Sequence, residues 1–196
     1  MMYSAEIVAG SLLMNETRKL AEVLLRDQSK AAWLNAVIGE NVLQKKTQST
    51  AKRMAGLIRH RLETGDAEIW KLIANGDFEL SSQATLVLVI RRSRLLADFM
   101  SEVLGLKMRR LDFKLVQKDW DDFLQECELR DPVVAGWSEL TKAKLFEVLV
   151  RILAEGRYLN SSKEKMIQGV MIRPEIRAYL EATNDQTTLA SMELHR

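Results

Sequence analysis

The sequence predicts a mainly α fold: a multi-helix protein with an N-terminal helix-turn-helix-like element and room for one small β-hairpin near the C-terminus. Three observations carry this. Two prolines and nine glycines punctuate 196 residues, too few turn formers for a many-stranded all-β chain. Leu, Ala, Glu, Lys, Arg and Met are abundant, and these lose little side-chain freedom in a helix. Apolar residues also recur at spacings of three and four along most of the chain. Hydrophobic residues make up 47% and charged residues 29%, the balance of a globular protein rather than a disordered one.

Taken in order, residues 1–14 are apolar-rich, with Gly10-Ser11 as a break. Asn15 is a cap for a helix from Glu16 to Arg26, with Leu13, Leu20, Val23 and Leu24 on one face. Ser29 caps a second from Lys30 to about Leu43, interrupted at Gly39, with Trp33, Ala36 and Val37 on its apolar side. A polar turn through Lys45, Lys46 and Thr47 leads to a third helix from Gln48 to Glu63. Its stripe is Ala51, Met54, Ala55, Ile58 and Leu62. Gly65 ends that helix and Asp66 caps a short fourth through Trp70 and Ile73 to Asn75.

Ser81 and Ser82 are read as opening a very apolar helix. The next runs from Leu95 and ends near Gly105. Residues 106–116 fit a short strand, a loop or more helix. Lys118 to Glu128 is helical with Trp120, Phe123, Leu124 and Cys127 on one face, and Asp131-Pro132 breaks it. Ser138 or Thr141 caps the clearest helix, with Leu145, Val148, Leu149, Ile152 and Leu153 as its stripe and Gly156 as its stop. Residues 157–172 suit two short strands around a polar tip, Pro174 starts a last helix, and the chain frays from Asn184. The expected division is an N-terminal helical domain over 1–80, carrying the basic helix-turn-helix-like element, and a C-terminal helical domain over 81–196.

The net charge of +2 says little about partners, but its distribution says more. From Asn41 to Arg61 stand six fixed positive charges (Lys45, Lys46, Lys52, Arg53, Arg59, Arg61) and no acid, whereas residues 119–131 hold six acids against Arg130 alone. A helix N-terminus favours anions. Gln48, Ser49 and Thr50 carry amide or hydroxyl groups able to meet phosphates or bases. Lys45, Lys46, Lys52, Arg53 and Arg59 are therefore candidate phosphate contacts beside them. Arg61, close to the apolar stripe, suits a structural role. Arg91, Arg92 and Arg94 are secondary candidates, for which interaction with the end of an apolar helix and nearby carboxylates is the preferred reading. Lys163, Lys165 and Arg173 belong to a possible second DNA-binding module, against the simpler reading of a packed helix with a wet side.

Catalysis finds little support. Two histidines (His60, and His195 near the end) and one cysteine make no zinc set, and no glycine cluster cradles a phosphate. No enzymatic activity, metal or cofactor is expected. Asp119, Asp121 and Asp122 read as a solvated acidic face. Cys127 reads as a buried thiol and the four tryptophans as core. The longest apolar run, Ala84 to Ile90, is far too short to span a bilayer. With no secretory-type start, a cytoplasmic location and no membrane partner are expected.

The opening Tyr3-Ser4-Ala5, Gly10-Ser11-Leu12-Leu13 and Glu16-Thr17-Arg18-Lys19 carry a resemblance. So do Glu40-Asn41-Val42-Leu43-Gln44-Lys45 with Thr50-Ala51-Lys52-Arg53, the run Ile58-Arg59-His60-Arg61-Leu62, and Trp137-Ser138-Glu139 through Arg151-Ile152-Leu153 to Gly156. Together they resemble the BrxA family of the bacterial BREX phage-resistance systems. The resemblance implies a nearly all-helical protein without known enzymatic activity. It would bind double-stranded DNA within a multi-protein system that includes a methyltransferase and ATPases. The family's suggested likeness to the antitermination protein NusB keeps RNA open as a ligand. An adaptor that docks partner BREX proteins through its charged segments is the remaining alternative.

Overall fold

A computed structural model describes residues 2–194, without the side chain of Ala9, so His195 lies outside the described residues. The chain is mainly α, as its composition and periodicity predict. Its contacts divide it into two compact units, residues 12–92 and residues 1–11 with 93–196.

The unit formed by residues 12–92 consists of α1 (Met14–Arg26), α2 (Lys30–Leu34), α3 (Gln48–Leu62), α4 (Ala67–Asn75) and α5 (Phe78–Arg92). The start of α1 is set by Leu13 in the left-handed region at φ 58°, so Asn15 lies inside the helix and is not its cap. Short α2 passes into a π-helical turn, Asn35–Gly39, and goes no further. A Cβ at Gly39 would lie 2.6 Å from Asn35 Oδ1. Residues 40–47 then run to α3, longer than the roughly three to four residues that join the helices of a helix-turn-helix.

Helix α5 is the centre of this unit. It is buried on every side from Leu80 to Ile90, as expected of a helix apolar all round. It begins earlier than predicted because Asp77 is its cap, accepting from the Leu80 N–H at 2.9 Å. Ser81 and Ser82 are interior residues. The Ser81 hydroxyl donates to the carbonyls of Ile73 and Gly76 at 2.8 and 3.1 Å, satisfying the otherwise orphaned end of α4. Arg18 serves the same end from α1, donating to Ala74 and Gly76 carbonyls at 2.9 and 2.7 Å.

The other unit holds the chain start and the remaining helices. Arg94–Asp98 (α6) continues through a π-helical stretch, Phe99–Leu104, into Gly105–Arg109 (α7). The predicted stop at Gly105 is overturned because this glycine keeps right-handed helical dihedrals (φ −61°, ψ −43°). The added turn of the π stretch shifts the apolar phase there. Next come α8 (Gln117–Arg130), α9 (Pro132–Ala135), α10 (Glu139–Glu155), α11 (Pro174–Ala182) and α12 (Gln186–Met192). Helix α12 corrects the expected fraying. Asp185 caps it through the Thr188 N–H at 3.1 Å, and Tyr158 donates to the Met192 carbonyl at 2.9 Å. The hairpin near the C-terminus is reduced to isolated antiparallel bridges, Leu159 with Ile167 and Lys114 with Met166; no strand forms among the described residues.

An aromatic cluster forms this unit's core. Trp120 stacks on Phe146 at 5.5 Å and meets Phe99 edge-on at 5.7 Å, while Phe99 meets Phe123 at 5.2 Å. The chain start is tied into it. Tyr3 donates its hydroxyl to Asp98 at 2.9 Å, and its backbone N–H donates to Asp131 at 3.0 Å. Cys127 is fully buried, and its thiol is pushed up to about 11, chiefly by burial, so it is inert as a nucleophile at neutral pH.

Candidate nucleic-acid interface

The basic segment becomes a loop and a helix with different jobs for different cations. In the loop, Asn41 brackets Lys45, accepting from its N–H and donating to its carbonyl, both at 3.0 Å. Lys19 holds the Val42 carbonyl at 3.1 Å. The turn carrying Lys45 and Lys46 is thus fixed by side chains, a self-bonding role that Asn performs well. Thr47 caps α3 by accepting from the Thr50 N–H at 3.2 Å, and the Thr47 and Thr50 hydroxyls pair at 2.9 Å.

The stripe expected from the sequence is the buried one: Ala51, Ala55, Ile58 and Leu62 are buried and Met54 is half-buried. On the outer side, Ser49, Lys52, Arg53, Gly56 and His60 follow one another at spacings of three and four and form one face. Gln48, Ser49, Lys52, Arg53 and His60 are exposed.

Three of the six fixed charges belong to the fold. Lys45 pairs with Glu16 of α1 at 3.0 Å. Arg59 pairs with Glu63 at 2.9 Å and lies 5.0 Å over the ring of Trp33. Arg61 is 2% exposed and donates to the Leu12 carbonyl at 3.0 Å, which explains its place next to the apolar stripe. Lys46, Lys52 and Arg53 are exposed and have no ion pair among the described residues.

The end of α3 that these three surround keeps its dipole uncompensated. Of the helices longer than ten residues, α1, α5, α8 and α10 each place an acid in the first turn, and α3 places none. The unsatisfied N–H groups and partial positive charge there therefore face solvent together with the free cations.

The secondary arginines are largely structural. Arg91 donates to the Thr64 carbonyl at 3.1 Å and Arg94 pairs with Asp98 at 2.7 Å; Arg92 is exposed. Arg91 and Arg92 belong to one unit and Arg94 to the other. Among the described residues no group of three or more His, Cys, Asp and Glu could hold a metal ion, and no helix is long and apolar enough to cross a membrane.

Residues 1–184 match the BrxA family. The chain belongs to the BrxA family. A BREX protein BrxA from Paramagnetospirillum magneticum is 35% identical over 98% of this chain and 96% of that protein. One from Escherichia coli is 33% identical over 96% of this chain and 88% of its own length. The crystal structure of an uncharacterized protein from Magnetospirillum magneticum superposes with a TM-score of 0.89 at 34% identity, covering 99% of this chain and all of that one. The candidate surface of this chain is the charged end of α3, most of which was visible as a run of bases. What the run concealed was which bases are already engaged. Glu16, the partner of Lys45, lies 29 positions away, and no local pattern connects them.

Proposed function

We propose that this BrxA contacts double-stranded DNA through the first turn of α3 and the loop before it, as a non-enzymatic component of BREX phage defence in the cytoplasm alongside other BREX proteins. The observation that carries the reading is the meeting of Lys46, Lys52 and Arg53, all exposed and unpaired among the described residues, with a helix N-terminus lacking any first-turn acid. Phosphate groups satisfy both features at once. Gln48 and Ser49 stand exposed on the same turn and add hydrogen-bonding groups for backbone or base edges. Lys45 and Arg59 contribute position more than charge, since each already has a carboxylate.

Duplex is favoured over single-stranded nucleic acid by what the segment lacks. Between Asn41 and Arg61 there is no Phe, Tyr or Trp, and single-strand readers depend on aromatic platforms for unstacked bases.

The test is a salt titration of duplex binding. Replacing Lys46, Lys52 and Arg53 by Ala should lower the slope of log affinity against log salt by about 2.7, from roughly 0.9 per phosphate contact on B-DNA. Lys45→Ala should leave the slope within error of wild type. An unchanged slope in the triple variant would refute the site. Preferential competition by structured RNA of equal length would refute the duplex ligand.

A further inference from the structure

We propose that α3 seats lengthwise in the major groove of the duplex, with Gly56 at the point of closest approach and Lys52 and Arg53 against the two rims. This rests on the reading of α3 as a duplex contact. It adds the groove, the orientation of the helix and a positioning role for Gly56.

Helix phase sets the geometry. At 3.6 residues per turn, Gly56 falls between Lys52 on one side and Arg53 on the other, with Ser49 before it and His60 after it along the same line. The buried Ala51, Ala55, Ile58 and Leu62 run along the opposite side. Lys52 and Arg53 therefore straddle a stretch of bare backbone. From Ser49 to His60 this line is about 16 Å long, at roughly 1.5 Å per residue. No acid occurs from Gln48 to Leu62. The first one beyond, Glu63, is held by Arg59 at 2.9 Å.

Nothing among the described residues accounts for a glycine here. Elsewhere in the unit of residues 12–92 each glycine has a neighbour in the way of a side chain. A Cβ would come within 2.6 Å of Asn35 Oδ1 at Gly39, 2.5 Å of Ile69 Cγ2 at Gly65 and 2.4 Å of the Leu72 carbonyl at Gly76. At Gly56 it would meet nothing within 4 Å. No described glycine has a positive φ, so the backbone does not demand one either. A glycine in mid-helix is unfavourable relative to alanine. The bare position thus weakens the folded chain, and its use lies with something that meets the helix from outside.

Charge and width identify that body. Lys52 and Arg53 are exposed, have no ion pair among the described residues, and call for anions on both sides of the bare strip. Two rows of phosphates with a gap between them are what a duplex groove presents, whereas a single strand presents one row. The major groove is about 12 Å wide and a helix with its side chains about 10–12 Å across. A helix therefore fits with little to spare, and any bulk on its leading edge holds it out. The minor groove, about 6 Å wide, does not admit one. With a glycine leading, no side chain reads base edges at the centre of the contact. Phosphates fix the position there, and Gly56 sets the depth.

The experiment measures duplex affinity of the full chain by fluorescence anisotropy at one fixed salt concentration. Gly56→Met should weaken binding about tenfold or more, a loss of roughly 1.4 kcal/mol, and Gly56→Ala by less. Both variants should melt at or above the wild-type temperature, because each puts a better helix former where there is room. A duplex whose cytosines carry glucosylated 5-hydroxymethyl groups, which fill the major groove, should also bind about tenfold or more weakly than the plain duplex. The inference is overturned if Gly56→Met binds as wild type does or if the filled groove is tolerated. A lowered melting temperature would assign Gly56 to the fold and overturn it too. Failure of the underlying reading looks different. If replacing Lys46, Lys52 and Arg53 lowers the salt slope while Gly56→Met keeps wild-type affinity, the duplex contact stands and only its seating in the groove falls.

Discussion

The basic segment from Asn41 to Arg61 and the acidic segment from Asp119 to Asp131 look like mirror images in sequence, six charges of one sign in each. In the structure both lose much of their number to folding, by different routes. The basic segment loses Lys45 and Arg61 to distant neighbours, Glu16 and the Leu12 carbonyl, and Arg59 to Glu63 one turn on and to the ring of Trp33. The acidic segment spends its charges mostly close by. Asp119 accepts from the Val116 N–H at its own helix start and binds Lys107, Glu126 takes Arg130 one turn on, and Asp131 caps α9. What remains without an ion pair among the described residues is Lys46, Lys52 and Arg53 on one side and Asp121, which accepts from Gln117, on the other. A charge run thus overstates its surface by about the number of tasks the fold has for it, and only the remainder is available to a partner.

If the two segments are divided in this way, the consumed charges must matter for stability and the free ones must not. The largest effect is expected at Arg61. Arg61→Ala removes a buried charged donor to the Leu12 carbonyl and empties the space of a long stem. It should cost about 3 kcal/mol of unfolding free energy, measured by urea denaturation. Lys52→Ala in the same helix should stay within about 0.5 kcal/mol of wild type. Equal losses at both positions would erase the distinction between consumed and free cations.

On the acidic side the equivalent residue is Asp131. Its carboxyl is held below the usual range, first by the Tyr3 backbone N–H, then by that of Met2, with the Val133 N–H adding less against the cost of burial. A depressed folded value means that its stabilisation is complete above the ordinary aspartate pKa of about 4 and fades as pH falls through the folded value. Asp131→Asn should therefore lower the urea midpoint at pH 7 and narrow its difference from wild type in the acid range below about 4. Asp121→Asn, whose carboxylate accepts from the Gln117 amide and from no backbone N–H among the described residues, should keep the unfolding free energy at pH 7 within about 0.5 kcal/mol of wild type. A constant gap between wild type and Asp131→Asn across the acid range would show that the carboxylate's charge is not what anchors the chain start.

Which parts of this were visible in the sequence follows from which interactions are local. Helix phase placed Ala51, Ala55, Ile58 and Leu62 inside and Lys52 and Arg53 outside, because the three-to-four spacing is itself the geometry. Asp66 and Pro174 marked helix starts correctly, and of Ser138 and Thr141 it is Ser138 that caps, since a cap acts on N–H groups two or three residues away and a leading proline acts on its own backbone. Ser81 and Ser82 misled for the opposite reason. Their composition is that of a cap, but Ser81 satisfies the end of α4, an interaction set by packing. The π stretch at Phe99–Leu104 likewise has no signature of its own, so Gly105 reads as a stop when it is a buried helical residue. Membership of the BrxA family was legible in scattered short runs. The separation of free from engaged cations was not, because the Lys45 side chain is engaged by Glu16 on another helix, and no local pattern marks that.

The smallest and most discriminating test lies between the free cations themselves. Gly56 follows Lys52 by four and Arg53 by three on the outer face of α3, and a Cβ there would meet nothing within 4 Å. A glycine inside a helix costs about 0.5 to 1 kcal/mol relative to alanine, and nothing among the described residues requires its absent side chain. Gly56→Ala should raise stability by about that amount. It adds no charge and removes none, so the salt slope of duplex binding should not move even if affinity changes, because the slope counts phosphates neutralised and not contacts made. A slope that falls along with affinity would mean that the methyl group has pushed Lys52 or Arg53 off a phosphate. The three free cations would then act through close approach of the α3 backbone, and their charge alone would not define the surface.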